Sequence, residues 1–315
     1  MLDGRAHPED MNASSSRRAR AGLAGGVLLP CLALFSLAAG AQAWLPQKGT
    51  YSYSVDYTST LVKKHITKTG HEDDIGHTDS DVMSLSASYS PTDRISINGS
   101  LPVVRTRYRG DNCCGHDTAI DDGTWHSTIT DLQLTVNYQV LDGAFGLAPY
   151  VGALIPTHDY TTFGHSAPGR GLNEFWVGTY AAWSLNEWIP RTYIQVRGNY
   201  AFVEKVAGIS HDRVNATIEA GYFINPSWNV RAIYSRQWTN GGIGFPLVGG
   251  PSSPYFPYHD VVGEDEFTNV GGGATWVINE RSSIYGFYME TIDGINTHKV
   301  DHRFSFGYSY GVGGH

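Results

Sequence analysis

The chain has 315 residues, a net charge of −8 and a mean hydropathy of −0.26, with 37 glycines, 19 tyrosines and 8 tryptophans. This acidity argues against a nucleic-acid partner. No run after the first 43 residues is apolar and long enough to cross a bilayer as a helix. Abundant aromatics without overall hydrophobicity leave two all-β solutions: a sandwich that buries its rings, or a barrel that turns them outward to lipid.

The first segment reads as an address. Arg17, Arg18 and Arg20 precede the apolar run AGLAGGVLLPCLALFSLAAG, and Ala41-Gln42-Ala43 is a small-x-small cleavage site. Residues 1–43 are therefore expected to be a signal peptide for the general secretory route, with Met11 as an alternative start and Trp44 as the first mature residue. The domain expected to fold is 44–315. The segment carries four arginines and three acidic residues, so its removal leaves a net charge of −9.

Period-two alternation then dominates. TYSYSVDYTST sets Tyr51, Tyr53, Val55 and Tyr57 against Ser52, Ser54, Asp56 and Thr58. A charged loop is expected from about Lys63 to Asp79. The second strand sets Met83, Leu85, Ala87 and Tyr89 against serines and turns at Pro91-Thr92-Asp93; the third carries Ile95, Ile97, Leu101 and Val103. The stretch from Asp131 to Pro156 is the clearest hairpin. Leu132, Leu134, Val136, Tyr138 and Val140 oppose Asp131, Gln133, Thr135, Asn137 and Gln139, and Asp142-Gly143 begins the turn.

The sixth strand, about Glu174 to Leu185, has aromatics at both parities, so its facing is ambiguous. Strands seven to nine again alternate, with Ile194, Val196, Val214, Ile218, Trp228 and Val230 outward. Asn225-Pro226-Ser227 turns between the last two. A long Gly- and Pro-rich loop from Asn240 to about Glu264 precedes three final strands, the last being HRFSFGYSYGV.

The count is twelve strands, with five short connections alternating strictly with six generally longer ones, so both termini fall on the short-turn side. An even number of short strands arranged in this way predicts an all-β, antiparallel, up-and-down transmembrane β-barrel of the bacterial outer membrane.

Strand parity gives a candidate lumen wall of Asp131, Gln133, Asn137, Gln195, Asn199, Arg197, Glu219 and Arg231. The last three form an Arg–Glu–Arg ladder that either braces the interior or sets selectivity. Phe245, Leu247, Tyr255, Phe256 and Tyr258 are too apolar for an idle solvent loop; they read as a first contact for a ligand or as packing on the barrel rim. Cys113 and Cys114 adjoin in an external loop of an oxidising compartment, as a vicinal disulfide or an intermolecular pair. Their spacing, beside His116 and Asp117, is not that of a structural metal site, and the acidic first loop reads as solvated, so neither metal nor cofactor is expected. Adjacent His126-Ser127 and His165-Ser166 would point to opposite faces of a strand, which is wrong for a base and its nucleophile; no catalytic residue is expected.

Trp125, the Asp131-Leu-x-Leu strand opening, the strand end Leu154-Ile155-Pro156-Thr157 and the Gly-rich loop that follows resemble the meta-pathway of phenol degradation family. Here His158-Asp159 stands where family members tend to have Gly-Asp, and the chain ends in His315 rather than in a terminal aromatic. The resemblance implies an outer-membrane barrel that passes small hydrophobic or aromatic compounds by facilitated diffusion. The alternatives are a plugged barrel that binds a ligand or surface without flux, and a barrel-sited hydrolase. The expected partners are outer-membrane lipid and lipopolysaccharide, the barrel-assembly machinery and a small organic ligand. With so few residues before the first strand, no N-terminal hatch is expected.

Overall fold

The computed structural model describes residues 43–110, 119–244 and 253–313. Cys113, Cys114, Phe245 and Leu247 lie outside the described residues, as does all of the expected signal segment except Ala43.

Alternation becomes one continuous antiparallel sheet. The segments are β1 (Tyr51–Ile66), β2 (Glu72–Thr92), β3 (Ile95–Arg109), β4 (His126–Ile129), β5 (Asp131–Tyr138), β6 (Phe145–Pro156) and β7 (Glu174–Ser184). They continue as β8 (Thr192–Val203), β9 (His211–Asn225), β10 (Trp228–Gly241), β11 (Glu266–Asn279), β12 (Ser282–Ile295) and β13 (Thr297–Val312). Apart from β4 and β5, each pairs with its neighbour in sequence, and β13 closes onto β1, so the sheet forms a barrel. Segments β4 and β5 both pair with β3 and are one strand interrupted at Thr130, which makes a twelve-stranded barrel. Closure satisfies every ladder, the condition for placing β-structure in lipid.

The outer surface shows why the chain needs lipid. Tyr53, Met83, Leu85, Phe175, Phe202, Ile218 and Phe306 are among the exposed apolar side chains that ring the barrel, while Ser54, Thr58, Ser84, Gln133 and Asn137 are buried inside. Aromatic pairs such as Tyr51 on Tyr89 and Trp228 on Trp276 stack across strands close to the short-turn end, as interfacial belts do. No described helix is long and apolar enough to cross a membrane, and crossing is by strands.

Three sequence expectations change. The charged loop from Lys63 to Asp79 is largely strand, because β1 runs to Ile66 and β2 starts at Glu72. Its acids have partners: Asp79 accepts from Arg107 and Arg109, Asp81 from Arg105, and Glu72 from Lys64 and Lys299. The last outer connection is Asn296 alone, at φ 48°, between β12 and β13. The ambiguous strand resolves as β7, with Phe175, Val177 and Trp183 outward and Trp176 and Tyr180 inward.

The rim on the long-loop side is uneven. β1, β2, β3 and β13 have 16, 21, 15 and 16 residues, whereas β6, β7 and β8 have 12, 11 and 12. The loops beside the low wall fold inward over it.

Candidate functional site

The lumen has two chemically different walls. On β1, β2, β3 and β13 the inward positions toward the short-turn end are mostly Ser and Thr with Asp56 and Asn98, as alternation dictates, while Val62, Tyr108, Val300 and Arg303 are buried toward the long-loop end. On β6, β7 and β8 the inward positions include Ala148, Tyr150, Leu154, Trp176, Tyr180, Ala182, Ala201 and Val203, all buried, beside the polar Glu174, Gln195 and Asn199. These join Leu172 of the loop 157–173 and Val261 and Val262 of the loop 242–265 at one end, and Ala43, Trp44 and Leu45 at the other. The result is one contiguous apolar stripe running the height of the barrel on the inside, where water-filled pores carry polar residues. Sequence reading missed it because the mixed parity of β7 hid Trp176 and Tyr180.

A register pattern lets large rings fit there. Trp176 lies opposite Gly152, Tyr150 opposite Gly178, Tyr193 opposite Gly221, Phe287 opposite Gly273 and Tyr285 opposite Gly307. A Cβ at Gly178 would stand 2.7 Å from the Tyr150 ring, one at Gly152 would stand 2.9 Å from the Trp176 ring, and at the other three it would overlap the facing ring. Each ring therefore lies across the wall over its glycine instead of projecting toward the axis.

The expected Arg–Glu–Arg ladder divides. Arg231 Nη1 is 3.7 Å from Glu219 Oε1, and Tyr193 donates to the same oxygen at 2.6 Å. Arg231 also donates to Thr275 and lies over the Phe287 ring at 4.3 Å. Arg197 turns toward the apolar wall instead. Its Nε donates to the Tyr150 hydroxyl at 3.0 Å and its guanidinium lies 5.5 Å from the centres of both Tyr150 and Tyr180. The reason is register: Glu219 pairs with Gln195 and Ile233, two residues from either arginine's row, and the Tyr150–Tyr180 pair offers Arg197 two ring faces.

The other candidate wall residues occupy different levels. Gln133 and Asn137 line a cavity of about 360 Å³ at the short-turn end, together with Ser86, Asn98, Thr135 and Ser309. Trp44 and Leu45 project into that cavity. Leu45 N–H donates to Gln139 Oε1 at 2.7 Å, Gln139 Nε2 donates to the Ala43 carbonyl at 2.6 Å, and the Trp44 indole donates to the Gly143 carbonyl at 2.8 Å. Gln195 accepts from Ala43 N–H, so it also holds this segment. The Trp44 and Leu45 contacts lie downstream of the peptide bond expected to be cleaved. Asn199 is buried at mid-height beside Gly178.

Asp131 anchors a loop: it accepts from the Tyr160 hydroxyl at 2.6 Å, and that hydroxyl accepts from Gly171 N–H. The loop 157–173 enters the barrel, where Thr78 and Thr106 donate to the carbonyls of His165 and Ser166 and the His165 ring stacks on Tyr108 at 4.1 Å. Asp121 accepts from the backbone N–H groups of both His165 and Ser166. The Ser166 hydroxyl sits 2.5 Å from the Ile120 carbonyl and 2.7 Å from Asp121, so His165 does not act as its base. His126 engages Asp122 and Thr124, which holds Asp122 down to about 2 through the imidazole and threonine hydrogen bonds.

Of the loop aromatics, Phe256 is buried and packs edge-on against Phe163 at 5.7 Å, Tyr255 is half-buried and Tyr258 is exposed. The segment 253–265 is thus seated on the loop 157–173. An ion pair locks them: Arg170 Nη2 lies 2.8 Å from Asp265 Oδ2, both buried, and Gln237 and Thr239 also donate to Asp265. Burial raises the Asp265 carboxyl, but Arg170 and Arg213 outweigh it and hold it below the ordinary range. No group of three or more metal-ligating side chains that could hold an ion occurs among the described residues.

No protein-family model matches the chain, and no curated protein matches it. Among solved structures it is similar to an outer membrane channel from Pseudomonas putida F1, with a TM-score of 0.67 and 15% identity over 87% of this chain and 99% of that one. The NanC porin aligns at a TM-score of 0.45 and 11% identity over 82% of this chain and 98% of its own. For the KdgM porin the values are 0.41 and 10%, over 83% and 99%. At these identities the likeness concerns the fold. That fold, with its lipid-facing belt, is the twelve-stranded β-barrel of the bacterial outer membrane.

Proposed function

We propose that the chain is an outer-membrane channel for small hydrophobic or aromatic compounds. The observation that supports this reading is the apolar stripe from Leu172, Val261 and Val262 through Trp176, Tyr150 and Tyr180 to Trp44 and Leu45. A hydrophilic solute gains nothing on such a wall, whereas an aromatic one exchanges water for ring and aliphatic contacts at each step. The hydroxyl wall opposite keeps the path hydrated enough for release. The segments 157–173 and 253–265 act as the outer gate and the mature residues 44–46 as the inner one, so passage requires both to shift. The solved-structure likeness to a channel agrees with this reading at the level of the fold.

The filled ends favour a second reading, a barrel that binds a ligand without passing it. Planar-bilayer recording on the mature protein separates the two. The channel reading expects discrete openings that phenol reduces in a concentration-dependent way. A silent barrel that still binds phenol would favour the second reading.

A further inference from the structure

The outer end of the apolar stripe carries a buried set of donors that the loop clamp does not use. In register across the wall stand Gly152, Trp176, Ala201 and Arg213, on β6 to β9. The Arg213 guanidinium is buried, and Nη1 meets Glu174 Oε1 at 2.9 Å. Its Nε and Nη2 have no hydrogen-bond partner among the described residues. Those two nitrogens form one edge of the guanidinium, with parallel N–H bonds at the spacing of a carboxylate's oxygens. Nearby, Arg170 Nε is likewise unpartnered among the described residues. His211, 1% exposed, lies beside the Ile209 backbone, which acts on its ring. His211 is also close enough to Arg213, Arg170 and Asp265 for their charges to act on it.

Buried donors left without acceptors are costly, and a guanidinium edge is among the costliest. The acids in the neighbourhood do not fill it: Glu174 is engaged by Nη1 of Arg213 and by the Trp176 indole at 2.9 Å, and Asp265 is engaged by Arg170 and Gln237. Arg170 and Arg213 against Glu174 and Asp265 leave the cluster formally neutral, so one added anion meets no net repulsion. Immediately beside it, Trp176, Leu172, Val261 and Val262 supply an apolar bed in the same cluster.

We propose that this end of the lumen is a recognition site for aromatic carboxylates, with the acid on the free edge of Arg213, supported by Arg170 and His211, and the ring on Trp176 and Leu172. The proposal rests on the channel reading above and narrows its cargo to aromatic acids.

Titration calorimetry on the mature protein in detergent tests it, with benzoate, benzyl alcohol and acetate as probes. Benzoate is expected to bind at least about tenfold more tightly than benzyl alcohol, the scale of one charge-assisted hydrogen bond. Arg213→Lys keeps the charge beside Glu174 but removes the two-pronged edge, so it should erase that preference. A double change, Glu174→Gln with Arg213→Gln, removes both charges together and should do the same. Heat-modifiable gel migration verifies folding of each variant. Equal binding of benzoate and benzyl alcohol, or a preference that survives Arg213→Lys, overturns the acid site while leaving the channel reading in place. If neither aromatic binds, the acid site and the aromatic cargo fall together.

Discussion

Arg170 and Asp265, 95 positions apart in sequence, form a 2.8 Å ion pair with both side chains almost fully buried, and this pair ties the two inward-folded loops to each other. Removing one partner of such a pair leaves an uncompensated buried charge, at a cost of about 3–5 kcal/mol. Asp265→Asn is therefore expected to free the segments 157–173 and 253–265 and to raise single-channel conductance several-fold. An unchanged conductance in a folded variant would show that these loops do not gate the lumen.

The same pair sets a pH window. The Asp265 carboxyl titrates below its unfolded value, so its contribution is fully present above that value, near 3.9 for a free aspartate, and is lost as pH falls through the folded pKa. The closed state should hold from pH 8 down to about 5 and give way only below the ordinary carboxylate range. Conductance recorded across this series checks the sign. Opening that begins between pH 7 and 6 would assign the control to a histidine instead.

Glycines opposite rings are predicted to be intolerant. At Gly221 a methyl group would overlap the Tyr193 ring, which hydrogen-bonds Glu219 and has no slack to move. Gly221→Ala should destabilise the barrel by about 1–3 kcal/mol, the usual cost of overpacking. Urea unfolding in detergent reads the loss. Gly198, where the nearest atom to an added Cβ is 3.8 Å away, is the tolerant control.

Gln139 holds the mature inner segment by accepting from Leu45 N–H. Gln139→Ala should release Trp44 and Leu45 from the cavity and increase the flux of small solutes, with little change in unfolding midpoint because the barrel ladders are untouched. Iodide uptake by proteoliposomes measures the flux. No increase would assign residues 44–46 a purely structural role.

How much of this was legible beforehand depended on parity. Where one face is apolar and the other polar, as in Tyr51–Thr58 or Leu132–Gln139, alternation specified strand, facing and lumen lining, and counting such stretches gave the barrel. It failed at β7 because a strand with aromatics on both faces carries no period-two signal, and those inward rings are the core of the site. The divided ladder shows a second limit. Parity places Arg197, Glu219 and Arg231 inside, but their pairing depends on register, which is fixed by turn geometry and ring contacts distributed over four strands. The Arg170–Asp265 clamp had no local signal, since both residues sit in loops whose approach only the closed barrel creates.

The central claim is that the inner apolar stripe conducts. Its most direct test is the uptake of benzyl alcohol and of a sugar of similar size by proteoliposomes carrying the wild-type protein or Trp176→Glu, each scored against protein-free vesicles. The predicted result is protein-dependent benzyl alcohol flux exceeding that of the sugar, falling several-fold in Trp176→Glu while the sugar rate stays the same. Equal rates for the two solutes, or an aromatic flux untouched by a charge within the stripe, would contradict it.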